Sequence, residues 1–154
     1  MDGYSSAAGF IIFLVGEDGE SCPLAWEAKK IRRVVKSTLA AETLAASHSV
    51  DMCYYLGSVL SEVLFHEHDK NVIPICCYVD NHSLVENVHS MKNVSEKRLR
   101  IDLATLKQLV QEGYVIMKWI RSDLQLVDCL TKKGVNTFKL LNILEKGNLA
   151  ELNL

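Results

Sequence analysis

Two prolines in 154 residues, and no Pro-, Gly- or Ser-rich stretch, leave nothing that reads as a linker between domains. No internal repeat divides the chain either. Long apolar runs are missing: the longest, Phe10 to Val15, is a strand's length, far short of the roughly 18–20 residues that cross a bilayer. No membrane association is therefore expected. The N-terminus carries no basic-then-apolar-then-small leader, so the expected location is intracellular, cytoplasmic or nuclear, and not secreted. There is no C-x-x-C pair among the five cysteines, and their odd number fits a reducing compartment better than a disulfide framework. An excess of one charge is also lacking: 17 Lys and Arg stand against 19 Asp and Glu, a net charge of −2. On its face that balance argues against a protein held to nucleic acid by net charge. What remains is a length suited to one ordinary domain and a hydrophobic content of 49%, enough for a real core.

The apolar pattern orders the elements. Gly9 to Val15 reads as a strand buried on both faces, Gly16-Glu17-Asp18-Gly19 as a turn, and Pro23 to Trp26 as the return strand of a hairpin, resuming around Arg33 to Lys36. A long helix starts near Leu39 with Ser37 or Thr38 as its cap. Its inner stripe reads Leu39, Glu42, Ala46, Val50, Cys53, Gly57, Leu60 and Leu64. Ile73 to Val79 is an apolar strand, followed by a short helix from about Ser83 and a third helix through Leu99, Leu103, Leu106 and Val110 that stops at Gly113. Tyr114 to Ile120 alternates as a strand. Ser122 with Gln125 forms a capping box for a helix running to Lys132, and one more short helix follows Asn136. This order predicts an α/β fold with a mixed sheet and packed helices over residues 1–133, and a helical tail over 134–154.

Three carboxylates interrupt the pattern. Glu42 falls on the inner stripe of the long helix, where an ionised group costs several kcal/mol unless it is paired or metal-bound. It is not three residues after either candidate cap, so a capping box does not explain it, although a buried ion pair would. Asp80 ends an apolar strand just before a helix, where α/β proteins present groups to ligands. Taken alone, capping by Asp80 or Asn81 accounts for that position as well. Asp128 lies within the predicted late helix, and alone it reads as half of a surface pair with Lys132. Together the three suit a hard divalent cation such as Mg²⁺, which takes oxygen ligands and keeps several waters. Two such ions would serve an in-line phosphoryl displacement. His66-Glu67-His68, by contrast, reads as a solvated loop, because no further metal ligand is near in sequence.

The stretches Ala25-Trp26-Glu27-Ala28-Lys29-Lys30, Lys36-Ser37-Thr38-Leu39-Ala40-Ala41-Glu42, Tyr78-Val79-Asp80-Asn81, Glu96-Lys97-Arg98-Leu99-Arg100-Ile101-Asp102 and Gln125-Leu126-Val127-Asp128-Cys129-Leu130-Thr131-Lys132 occur in that order. In this combination the chain resembles the ribonuclease H domain of copia-type retrotransposon polyproteins, from about residue 5 onward. The resemblance implies a ribonuclease H-like fold and two-metal hydrolysis of the RNA strand of an RNA–DNA hybrid, with Mg²⁺ or Mn²⁺ as cofactor. It also implies a reverse transcriptase domain in the parent polyprotein. Glu42, Asp80 and Asp128 would be both the metal ligands and the catalytic carboxylates.

The family's first strand, which is central in its sheet and carries a fourth carboxylate, has no counterpart here. A truncated fold is therefore expected, whose sheet must close directly, leave a gap or borrow a strand. Activity of this chain or an inactive nucleic-acid-binding module are the two resulting readings. Phosphate contacts are expected from Lys29, Lys30, Arg32, Arg33 and Lys36, and from Lys97, Arg98 and Arg100, with Asn81 beside Asp80. These basic clusters make the distribution of charge more informative than its sum.

Overall fold

The computed structural model describes residues 7–31, 37–68, 71–90 and 94–154. It divides into two compact units, one built on the N-terminal hairpin and the C-terminal helices, the other running from the long helix to the last strand.

In the first unit, β1 (Ala7–Val15) pairs antiparallel with β2 (Ser21–Lys30). The turn closes where the Gly16 N–H donates to the Glu20 carbonyl at 2.8 Å. The register shifts between Ile12, opposite Ala25, and Phe13, opposite Pro23. Proline has no N–H for the ladder, so a bulge at this point relieves the missing bond. A core of Leu126, Leu140, Ile143 and Leu152 collects Ile11 and Phe13 from β1. The Ser21 N–H donates to the Gly147 carbonyl at 2.7 Å, tying the hairpin to the end of the last helix.

The segment from Ser122 to Lys132 departs from the sequence reading. It is not one helix but a 3₁₀ turn, Ser122–Leu124, followed by the four-residue α4, Asp128–Thr131. Backbone bonds here close onto the third residue back: Gln125 to Ser122 at 3.2 Å and Asp128 to Gln125 at 3.3 Å. No side-chain cap forms at either element, and Gln125 takes an extended ψ of 99°, which breaks the α-helical path. The capping-box spacing was present without the capping bond. The later helix, Phe138–Lys146, forms as expected.

In the second unit, α1 (Thr38–Phe65) starts on Ser37, whose side chain accepts from the Ala40 N–H at 3.1 Å. The chain then forms β3 (Ile75–Val79), α2 (His82–His89), α3 (Lys97–Gln111) and β4 (Val115–Trp119). Gly113, at φ 79°, makes the left-handed turn after α3 that non-glycine residues avoid. Strands β3 and β4 run parallel, Ile75 opposite Val115 and Val79 opposite Trp119. Val50, Ile75, Val79, Leu84, Val88, Leu103, Leu106, Val115 and Met117 make the core beneath them.

The antiparallel and parallel pairings expected of a mixed sheet are both present, but as two separate two-stranded sheets. The architecture is a small mixed α/β one. The buried line of α1 is also narrower than predicted: Ala40, Thr43, Ala46, Val50, Gly57 and Ser61, none larger than valine. Leu64 is 54% exposed instead of inside. Glu42 stands beside this line and not on it, half-buried, because the adjacent Thr43 takes the inward place with no exposure at all.

Candidate functional site

The C-terminal ends of the parallel strands place Asp80. Strand β3 ends at Val79, and the chain turns through Asp80 into α2. Of the two residues able to cap that helix, Asn81 does so: its Oδ1 accepts from the Leu84 N–H at 3.0 Å. Its oxygen is thereby committed to the backbone, while its amide N–H₂ takes no part in that bond. Asp80 is left half-buried, with a carboxylate that makes no hydrogen bond or ion pair among the described residues. Its main-chain carbonyl is held separately, by the Trp119 Nε1–H at 3.1 Å.

Glu42 belongs to the same unit, in the second turn of α1, and α1 packs directly on β3. Thr43 fixes the face that this turn buries, its hydroxyl donating to the Leu39 carbonyl at 2.7 Å. The half-buried setting of Glu42 removes the strongest part of the burial argument, since a partly solvated carboxylate carries a much smaller desolvation cost.

Asp128 belongs to the other unit and opens α4, where a negative charge suits the helix N-terminus. Its side chain is 15% exposed and accepts from the Lys132 Nζ at 2.8 Å, the i,i+4 pair that the sequence alone suggested. A cation bound at Asp128 would have to compete with that ammonium. Among the described residues, no group of three His, Cys, Asp or Glu side chains is placed to hold a metal ion.

The basic residues divide by what they touch. Lys29 pairs with Glu27 at 2.7 Å, while Lys30 is exposed at the end of β2. Arg32, Arg33 and Lys36 lie outside the described residues. Arg100 donates from Nε and Nη2 to the main-chain carbonyls of Val94 and Ser95, which ties down the approach to α3 and leaves its other guanidinium N–H groups outside those two bonds. Lys97 and Arg98 are exposed in the first turn of α3, a turn without any acidic residue. Cations there oppose the helix dipole at a cost of a few tenths of a kcal/mol, so helix stability does not explain them.

Sequence reasoning missed the neighbourhood of Asp80. Trp119 and His82 stand beside it, ring centroids 5.8 Å apart at 74°. The available signal was an aromatic closing the inward row of β4, directly opposite the last residue of β3. All five cysteines are free thiols. Burial pushes the Cys53 thiol up to about 11, and burial, with Cys53 and Cys76 as lesser contributors, pushes Cys77 up to about 12. No helix among the described residues is long and apolar enough to cross a membrane. Comparison with known proteins yields no matching family model, no matching curated protein and no matching solved structure.

Proposed function

We propose that the chain is a retrotransposon-derived ribonuclease H-like domain acting on the RNA strand of RNA–DNA hybrids, with Asp80 as its central metal-binding carboxylate. One observation carries the reading: Asn81 takes the capping role, so the competing explanation for Asp80 falls away and a free carboxylate is left at the C-terminal end of a parallel strand. That is where open α/β sheets bind ligands. Glu42 and Asp80 lie on elements that pack together, and they offer the oxygen donors a hard cation prefers. The resemblance also names Asp128, whose carboxylate accepts from Lys132. Mg²⁺ or Mn²⁺, when bound, would supply charge neutralisation and activation of water. The chain's own residues hold that charge in place, while Lys30, Lys97 and Arg98 meet phosphates along the duplex.

A second reading is favoured by a different observation. Asp128 is already neutralised by Lys132. On that reading the module binds nucleic acid without cleaving it. Incubation of the purified protein with an end-labelled RNA–DNA hybrid and Mg²⁺ decides between them. Hydrolysis that disappears with chelator and in Asp80→Asn supports the enzyme. Binding of the hybrid with no hydrolysis by the wild-type chain supports the inactive module, and cleavage that survives Asp80→Asn rejects this site.

A further inference from the structure

The inward row of β4 starts as core: Val115 is 2% exposed and Met117 3%. Its third member, Trp119, ends that row at the rim and is 46% exposed. A large indole left this open forfeits much of the burial that would otherwise stabilise it. Yet it is not loosely held. Its N–H is bound to the Asp80 carbonyl at 3.1 Å, and the His82 ring meets it edge to face at 5.8 Å. His82 is itself placed, its Nδ1 3.3 Å from the Glu86 carboxylate one turn along α2. The rim therefore presents a flat aromatic surface, anchored at its polar end and braced from the side.

We propose that Trp119, braced by His82, is a stacking platform for an unpaired nucleobase at the C-terminal ends of β3 and β4. The choice of a nucleobase over other planar groups rests on the nucleic-acid reading above. A paired base inside a hybrid presents no free face, so the ligand is single-stranded: an overhang or a strand end. Base stacking on aromatic side chains is tolerant of sequence, because every base has a π-face. The platform requires neither Glu42 nor a metal.

The test uses the full chain with Trp26→Phe, so that Trp119 is the only tryptophan. Short oligocytidylate is titrated against its fluorescence, beside an abasic strand of equal length and charge. The expected result is quenching by oligocytidylate, weak binding of the abasic strand, and affinity for oligocytidylate lowered roughly 5- to 150-fold in Trp119→Ala, followed by a labelled strand. Trp119→Phe, which keeps a ring without the indole bond, should lie between the two. Equal binding of abasic and base-bearing strands, or unchanged affinity in Trp119→Ala, overturns the platform. Should Trp119→Ala fail to fold, the abasic comparison and Trp119→Phe still decide the question. Hybrid cleavage is scored on the same proteins. Asp80-dependent cleavage without stacking removes the platform alone, whereas stacking without cleavage removes the hydrolase reading alone.

Discussion

Gly57 in the middle of α1 offers a sharp test of how the helix is fastened to β3. An alanine there should gain about 1 kcal/mol of helix propensity. The structure predicts the opposite sign, because a Cβ on Gly57 would stand 2.6–2.8 Å from the side-chain amide of Asn71. That amide cannot simply swing away. Its Oδ1 accepts from the Ile73 N–H at 2.9 Å and lies 3.3 Å from the Ser61 hydroxyl, which in turn accepts from the Val72 N–H at 3.0 Å. Each displaced bond costs about 0.5–1.5 kcal/mol, and more where a donor is left buried without a partner. Two disturbed bonds cost about 1–3 kcal/mol, and with the propensity gain of about 1 kcal/mol subtracted Gly57→Ala should destabilise by up to roughly 2 kcal/mol. In an Asn71→Ala background the obstruction is gone, and the same substitution should be neutral or stabilising by up to about 1 kcal/mol. Urea denaturation of the four proteins gives the double-mutant cycle. An equal effect of Gly57→Ala in both backgrounds, or a more stable single variant, would refute the packing argument.

Other substitutions probe the remaining joints. Gly9→Ala places a Cβ 2.7 Å from the Glu27 carbonyl and 2.8 Å from the Thr131 methyl, and should destabilise by about 1–3 kcal/mol in denaturant titrations, since backbone cannot yield as a side chain can. Ser37→Ala removes the cap of α1 and should cost about 1 kcal/mol, read by thermal or urea unfolding. The thiols predict an alkaline limit. Cys53 and Cys77 have folded values raised above the ordinary 9.0, so their contribution is fully present below pH 9 and is lost as pH rises through about 11 to 12. Stability measured at pH 8 and pH 10 should differ by on the order of 1 kcal/mol per thiol, and Cys53→Ala and Cys77→Ala should flatten the slope. In the native protein, exposed Cys22 and Cys76 should react with a thiol reagent well before Cys77.

Element order was legible because apolar periodicity is a local signal. Ser37, Gly113 and the alternation through Val115–Trp119 all took their predicted parts. The late helix was misjudged for a reason that spacing does not encode: Ser122 and Gln125 have the capping-box residues, but closure onto the third residue back leaves no helix to cap. Glu42 shows a related weakness. An error of one residue along a 3.6-residue period rotates a side chain by about 100°, enough to trade Thr43 for Glu42 on the buried line. Asp80 was recognisable as a candidate, but the choice between it and Asn81 as the cap depends on side-chain direction, which the sequence leaves open. Trp119 escaped notice because its significance lies in a bond to a main-chain carbonyl just past the end of another strand, 39 positions away.

The fully buried positions of α1 are alanine, threonine, valine, glycine and serine, with Leu39 and Cys53 packed partly buried beside them, whereas Tyr55, Val63 and Phe65 are exposed. Such a helix reverses the usual map of mutational tolerance. Enlarging almost any inward residue forces apart surfaces that meet at close range, while trimming one removes few methylenes. On the outward side, replacing a bulky apolar residue by a polar one of similar length should be absorbed readily. Sequence drift in this segment would then preserve smallness more faithfully than hydrophobicity. A comparison weighted toward large apolar positions would follow the wrong side of the helix.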